Sequence, residues 1–512
     1  MAPYFGLKGS ALTQAILWLV VCPSFVIYGY NLTVAGGLLT LLSFVDVFPQ
    51  MNTLTTTGET QRYNSTIQGT VLALYNVGGI FGALSCIYLG DLLGRKKVIF
   101  LTSIISIVGA ALMASSFGLP QFIIARLVVG FGNAGLLATV PVWQAEIAKA
   151  INRGSSVVTT GIFMGVGVCV GLWIDFGLYF VKDSSVSWRF PLAFQLLFLI
   201  PSTSAIMFLP ESPRWLIKSG HEKEATNILA ILHEEEIHSE VICNDVRDIQ
   251  QSLSLCQNQS WTAMFTMGEQ RFFHRTVLGF LAGMFQQLNG INVSSIYATT
   301  IFEQYLHMDA TKSRILAACM CMMQIFGGYV TYYTIDRLGR RRLMLSGSVG
   351  MAICMALLAG TTSVTDNTGA LVVAVIALYG FQFIFTVGWA GIVFLYAAEV
   401  APLQLRAAIS ALATTAIWTM AFLLAEITPI GFNTIGYNYW TIFALINAVV
   451  IFPVVYFFFP ETSGRSLEEI DEIFLQSKSI WDPVRLAKIL PKMQTTEGTS
   501  SPPTEEEKNI SS

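Results

Sequence analysis

Runs of roughly twenty predominantly apolar residues recur along the chain, starting near residues 12, 68, 98, 120, 155, 190, 275, 314, 342, 369, 405 and 438. Each is long enough to cross the hydrocarbon core of a bilayer as a helix. Lipid offers the backbone no hydrogen-bond partner, so such runs are helical wherever they span. The first is long enough to span and is followed by others, so it reads as a span rather than a cleaved signal. Between the sixth and seventh runs, from Glu211 to His274, the sequence turns polar, with Glu234, Glu235 and Glu236 in a row. After Glu461 a helical stretch from Leu467 to Phe474 gives way, near Thr495, to a Ser-, Thr-, Pro- and Glu-rich end that is expected to be disordered. The pattern predicts an all-α membrane protein of twelve transmembrane helices. It divides into a six-helix half over 1–209, a cytoplasmic linker over 210–273, a second six-helix half over 274–460 and a cytoplasmic tail over 461–512.

Composition narrows the function. Of 512 residues, 54% are hydrophobic and only 12% charged, with a mean hydropathy of +0.60, whereas a soluble domain spends about a quarter of its residues on charge. A net charge of −3 offers no basic field for nucleic acid. The eight Cys show no C-x-x-C spacing and read as small core residues. His221, His233 and His238 in the linker come with no ligand spacing, so a solvated face is the better reading than a metal site, and no cofactor is expected.

Lys and Arg gather after the even-numbered spans: Arg95, Lys96 and Lys97 after the second, Lys149 and Arg153 after the fourth, Arg337 and Arg340 to Arg342 after the eighth, and Arg406 after the tenth. The opposite loops carry few. By the positive-inside rule both termini are cytoplasmic. The sequon Asn64-Ser65-Thr66 then falls in the first outside loop, where Asn64 is a candidate glycosylation site.

The sequence also repeats itself across the linker. Asp91-Leu92-Leu93-Gly94-Arg95 recurs as Asp336-Arg337-Leu338-Gly339-Arg340 at an offset of 245. Glu146 stands seven residues before Arg153 and Glu399 seven before Arg406, an offset of 253. Pro210-Glu211-Ser212 recurs as Pro460-Glu461-Thr462 at an offset of 250. Three charge motifs at nearly one offset imply two similar halves related by an axis along the membrane normal. Glu146 with Arg153 and Glu399 with Arg406, beside Asp91, Arg95, Asp336 and Arg340, could anchor loops at the headgroups. Duplication favours a gate: ion pairs that form in one state and break in the other give two rocking halves their bistable element.

The chain resembles the sugar porters of the major facilitator superfamily, most closely the fungal monosaccharide transporters. The resemblance covers roughly residues 20 to 475. It rests on Gly29-Tyr30-Asn31, Asp91-x-x-Gly94-Arg95-Lys96, Arg126, Glu146 with Arg153-Gly154, Trp188-Arg189-Phe190-Pro191, Pro210-Glu211-Ser212-Pro213-Arg214-Trp215-Leu216, Gln286-Gln287-Leu288-Asn289-Gly290-Ile291-Asn292, Asp336-Arg337-Leu338-Gly339-Arg340-Arg341 and Pro460-Glu461-Thr462-x-Gly464-Arg465-Ser466-Leu467. It implies the two-half fold and a sugar site midway through the membrane, built mainly by the second half. Gln286, Gln287 and Asn292 are then assigned to the sugar, with Gln324, Phe394, Trp418 and Asn31 as further lining positions, and Arg126 joins the gate.

The residues themselves point the same way. Gln286, Gln287, Asn289 and Asn292 put four amides in one span, and an amide offers a hydroxyl both donor and acceptor without charge. Gluing helix to helix is a plausible role for Asn289 but a costly one for all four. Trp418 could lie under a pyranose ring, although a lone membrane Trp is otherwise often an interface anchor.

Departures from the family pattern are equally specific. The span-ten Gly-Pro-x-Pro-x-x-Trp becomes Ala390-Gly391-Ile392-Val393-Phe394, span five has Gly161 where a Gln is common, and Ile417 replaces a frequent Asn. Fewer hydroxyl partners put a glucose preference in doubt and open the site to a polyol or a less hydroxylated sugar. Asn31 stands where proton-driven relatives carry Asp and cannot titrate, which predicts facilitated diffusion, with a proton-coupled symporter as the alternative. The expected partners are a small sugar or polyol and the lipid bilayer, with the chain acting as a monomer. A non-transporting sugar sensor would need a longer signalling tail, an organic-acid carrier a second central cation, and an enzyme a nucleophile, metal set or phosphate loop that the apolar spans lack.

Overall fold

The computed structural model describes residues 3–490 apart from 40, 54, 149–152, 182–183, 255–260, 297, 299–300, 303–308 and 365–366. The Ser/Thr-rich end, Lys149 and the side chain of Arg153 lie outside the described residues. Among the described residues, eleven helices are long and apolar enough to cross a membrane: Gly9–Leu38, Gly58–Leu92, Arg95–Ala114, Leu119–Ile147, Val157–Leu178, Val186–Ile206, Thr311–Leu338, Arg340–Thr362, Thr368–Val400, Arg406–Thr428 and Asn438–Phe458. The missing one is span seven, which is discontinuous. Phe272–Leu288 stops at Asn289, whose Oδ1 accepts the Ile291 backbone N–H at 3.1 Å, and a short helix Ile291–Ile296 resumes after Gly290. Gly290 has φ of 101°, a backbone that only glycine adopts without strain. Among the described residues the fold is all-α, and the broken span seven completes two groups of six spans, as expected.

Spans one, two, four and five of the first half face spans seven, eight, ten and eleven of the second, with span two against eleven and span five against eight the most extensive contacts. Spans three, six, nine and twelve lie outside and present Leu101, Ile104, Leu197, Ile200, Ile353 and Val449 outward, the arrangement a lipid solvent favours. Close approach inside the first half is made by small residues. A Cβ at Gly78 or Gly82 would enter the backbone of Leu127 or Phe131, so spans two and four touch backbone to backbone.

The polar segment between the halves forms helices Pro213–Lys218, Glu222–His233 and Glu240–Ser254. After span twelve, Leu467–Gln476 is started by a capping box between Ser466 and Glu469 and is followed by Asp482–Ile489. That first tail helix is clasped to the start of span seven: Arg275 pairs with Asp471, and Arg271 Nε donates to the Ser477 carbonyl at 2.7 Å. The start of span one packs on Glu222–His233. Both ends of the described chain therefore sit on the linker side of the bundle.

Candidate functional site

Two groups of buried polar side chains stand out, one at the linker face and one at mid-bundle. At the linker face Arg95 grips Glu146 with two parallel bonds, Nε to Oε2 at 2.9 Å and Nη2 to Oε1 at 3.1 Å, while Ser212 Oγ donates to the same carboxylate at 2.7 Å. In the second half Arg340 grips Glu399 at 3.2 and 3.0 Å, and Thr462 Oγ1 donates at 2.7 Å. Asp91 flanks Arg95 at 3.5 Å and Asp336 flanks Arg340 at 2.9 Å.

The glycines of the motif explain its form. Gly94 and Gly339 take φ of 85° and 91°, and a Cβ on either would run into the carboxylate of Glu211 or Glu461. Those carboxylates accept the backbone N–H groups that open the next span, from Arg95 and Lys96 in one half and from Arg340 and Arg341 in the other. Burial raises the Glu211 carboxyl, against the backbone donors Ser212 and Lys96 and the Arg95 charge that lower it. Two six-residue-type motifs far apart in sequence thus build one circuit twice.

Of the pairs predicted from spacing, Glu146 with Arg153 falls outside the described residues, where the Arg153 side chain lies. Glu399 takes its bidentate partner from Arg340, and Arg406 reaches across the halves to Glu146 at 3.6 Å, with its Nε on the Ala398 carbonyl. Span four packs against spans two, three and eleven, and the first residues of spans three and eleven bring Arg95 and Arg406 to the end that carries Glu146. Lys218 of the linker makes a second bridge, to Asp91 at 3.0 Å and to the Gln404 carbonyl at 3.1 Å. Arg126 is not part of this circuit. It lies twenty residues up span four, about 30 Å away along a helix, where Nη2 donates to the Leu72 carbonyl at 2.9 Å and the guanidinium covers the Tyr75 ring at 4.9 Å.

At mid-bundle the amides of span seven are buried. Gln286 Nε2 donates to the Ala390 carbonyl of span ten at 2.9 Å, and Gln287 leans on Gln286 and approaches the Tyr28 phenol of span one. Trp418 stands edge-on between Tyr28 and Tyr75, with ring centroids at 5.7 and 5.1 Å, and rests on Gly79. Phe394 meets Phe25 edge-on at 5.6 Å and, with Ile417, lines a narrow gap of about 10 Å³ between spans four, ten and eleven. Gln287 Oε1, Asn292 Nδ2, Gln324 Oε1 and Trp418 Nε1 are buried with no hydrogen-bond partner among the described residues. A buried orphan costs ~1–3 kcal/mol, and a hydroxylated solute would relieve several at once. The departures at Gly161 and Gly391 turn out to be one feature: a Cβ at Gly161 would lie 3.0 Å from the Gly391 nitrogen, so spans five and ten touch where the family places larger groups.

Asn31 is held away from Arg126, its Nδ2 on Gln195 Oε1 at 2.8 Å and on the Ile27 carbonyl at 3.0 Å. Asn64 is not presented as a glycan acceptor: it is 5% exposed, and its Nδ2 donates to the carbonyls of Asn52 at 2.8 Å and Pro49 at 3.4 Å. The sequon was legible, but the folding of residues 49–52 against it was not. Tyr28, Tyr75 and Gln382 are the site neighbours that the sequence reading missed. Gln382 carried a usable signal, an amide inside an otherwise apolar run, the criterion that singled out span seven.

Comparison with known proteins places this geometry. The profile of the family described as Sugar (and other) transporter matches residues 17–474. The MFS-type transporter oryC of Aspergillus oryzae is 33% identical over 93% of this chain and 88% of its own, and the Sugar transporter STL1 of Saccharomyces cerevisiae is 31% identical over 96% and 87%. Among solved structures, the proton:xylose symporter XylE bound to 6-bromo-6-deoxy-D-glucose shares the fold with a TM-score of 0.78 at 22% identity, over 91% of this chain and all of that one.

Proposed function

The chain belongs to the sugar (and other) transporter family, and from that premise we propose that it carries a monosaccharide-like sugar or polyol across the plasma membrane by alternating access, as facilitated diffusion. It is a transporter rather than an enzyme. The observation that carries the substrate reading is the set of unpartnered amide and indole groups around the break in span seven, polar and uncharged and faced by the aromatic rings of spans one and two. Such a lining suits a neutral polyhydroxylated solute.

The linker face is cytoplasmic, because the basic residues gather there, and the chain works as a monomer whose two halves rock about the central site. The buried Arg95–Glu146 and Arg340–Glu399 pairs, with Arg406 crossing between halves, latch that face while the site serves the outside. When the halves part, water solvates these charges and the latch is released.

A second reading has one observation in its favour. Asp175 of span five is buried with both carboxylate oxygens unpartnered among the described residues, and Arg314 of span eight is the cation whose field reaches it. An intramembrane acid so placed could bind a proton and couple it to the solute. Uptake of labelled D-glucose, D-xylose, glycerol and sorbitol by the purified protein in liposomes decides between them. The expected result is equilibration of at least one solute without accumulation. Accumulation driven by an inward proton gradient, abolished by Asp175→Asn, would establish coupling, and no uptake of any of the four would sink the substrate class.

A further inference from the structure

Gln382 sits in the apolar middle of span ten with no exposed surface. Both ends of its amide are used. Oε1 accepts from Gln324 Nε2 of span eight at 2.6 Å, and Nε2 donates to Ser294 Oγ at 3.2 Å and Ser295 Oγ at 3.0 Å. Ser294 and Ser295 belong to the six-residue piece beyond the break at Gly290. One neutral side chain therefore joins span eight, span ten and the outer piece of span seven, and all four residues of the chain of bonds are buried.

The bonding has a direction. With one N–H given to Gln382, Gln324 is left with Oε1 as its wholly unsatisfied polar atom, without a partner among the described residues. Reversing the Gln382 amide alone would set two N–H groups against each other, so Gln324 can turn its nitrogen outward only if Gln382 reverses with it. Ser294 already donates its hydroxyl to the Ile291 carbonyl at 3.0 Å and so meets Gln382 as an acceptor, which reinforces the polarity that the two glutamines set together.

We propose that Gln382 is a positioning residue that determines specificity: with one end of its amide it presents Gln324 to the solute as a hydrogen-bond acceptor, and with the other it ties the outer piece of span seven to span ten. This rests on the reading of mid-bundle as the solute site, but the tie itself does not need a solute to be measured.

The test uses the full-length protein in liposomes with Ile296→Cys, a half-buried position at the end of the outer piece, labelled from outside by a membrane-impermeant maleimide and corrected for labelling of the protein without that substitution. Gln382→Met, which keeps the length of the side chain and removes all three bonds, should raise the labelling rate about tenfold, as should the pair Ser294→Ala with Ser295→Ala. Only Gln382→Met should also raise the KM for uptake, about tenfold with kcat changed less than twofold, because only it releases Gln324. Combining all three substitutions should add no further labelling, since the same tie is cut once. Unchanged labelling in the serine pair, or labelling in the triple variant equal to the product of the separate effects, would overturn the proposal. Should Gln382→Met fail to fold, the serine pair still decides it. Absence of uptake by the unsubstituted protein would count against the solute reading, while the labelling comparison would still judge the tie.

Discussion

The two halves agree at one end of the molecule and differ in the middle. At the linker face each half contributes an arginine gripping a glutamate, a hydroxyl donating to the same carboxylate at 2.7 Å and a glycine that makes room for a second carboxylate. At mid-bundle only the second half breaks a span and fills the break with amides, while the first half supplies the rings of Tyr28 and Tyr75 and the smooth face of Gly79. The difference follows from the two tasks. A rocking motion about a pseudo-twofold axis needs a latch that loads both halves alike, whereas recognising an asymmetric solute needs donors and acceptors placed on one side.

Symmetry is not complete even at the latch, and the largest predicted effect exploits that. Glu146 answers two arginines, Arg95 and Arg406. Glu146→Gln strands both in the latched state, and breaking a buried ion pair costs ~3–5 kcal/mol. The cytoplasm-closed state should therefore be depopulated roughly a hundredfold to several thousandfold. Uptake kinetics should show turnover falling by a similar factor with solute still bound from the cytoplasmic side. Retention of near-normal turnover would return these charges to the role of loop anchors.

Glu399→Gln should do the same in the second half on a smaller scale, on the order of 1–3 kcal/mol, and Arg406→Leu, which removes the ion pair to Glu146 across the halves, should lower turnover in the same direction. Labelling of a cysteine in the outer vestibule would report it. A decrease for Glu399→Gln agrees with a latch that favours the outward-serving state, and an unchanged or increased rate does not.

At mid-bundle, Gln287→Ala should raise the half-saturating concentration about tenfold, one hydrogen bond of ~1.5 kcal/mol. The fold should survive because the alanine leaves no orphan of its own. Equal transport of every accepted solute would remove Gln287 from the site.

The smallest effect is the sharpest test of equivalence. Ser212→Ala and Thr462→Val each delete one 2.7 Å bond to a buried glutamate, and each should lower the thermal stability of the cytoplasm-closed state by ~1.5 kcal/mol. The two losses should agree. A marked difference would mean that one half carries the load.

Much of the fold was legible in the sequence because a bilayer leaves a span few choices. The starts read from apolar runs at 98, 120, 342, 369, 405 and 438 fall within a few residues of helices opening at Arg95, Leu119, Arg340, Thr368, Arg406 and Asn438. The run from 275 was visible as a span, but its break was not inferred, although Asn289-Gly290 is a sequence that favours one. The charge motifs were visible as a repeat, yet the two-bond grips of Arg95 on Glu146 and of Arg340 on Glu399 were not read from it. Spacing along the chain says which residues share a helix end, and adjacency of spans three, four and eleven, which decides what Glu146 touches, is a property of packing alone. Tyr28 was hidden for a similar reason: one tyrosine among several in a membrane helix acquires meaning only when Trp418 is seen against it.

The central claim is that the halves move as bodies about the amide site and are latched on the linker side. Spin labels at Lys97 and Arg342 test it most directly, since both are exposed and occupy equivalent positions of the repeat, one in each half. The distance distribution of the otherwise unsubstituted protein should contain a dominant short component, and Glu146→Gln should shift weight to a longer one. A single distance that Glu146→Gln leaves unchanged would contradict both the latch and the rocking of the halves.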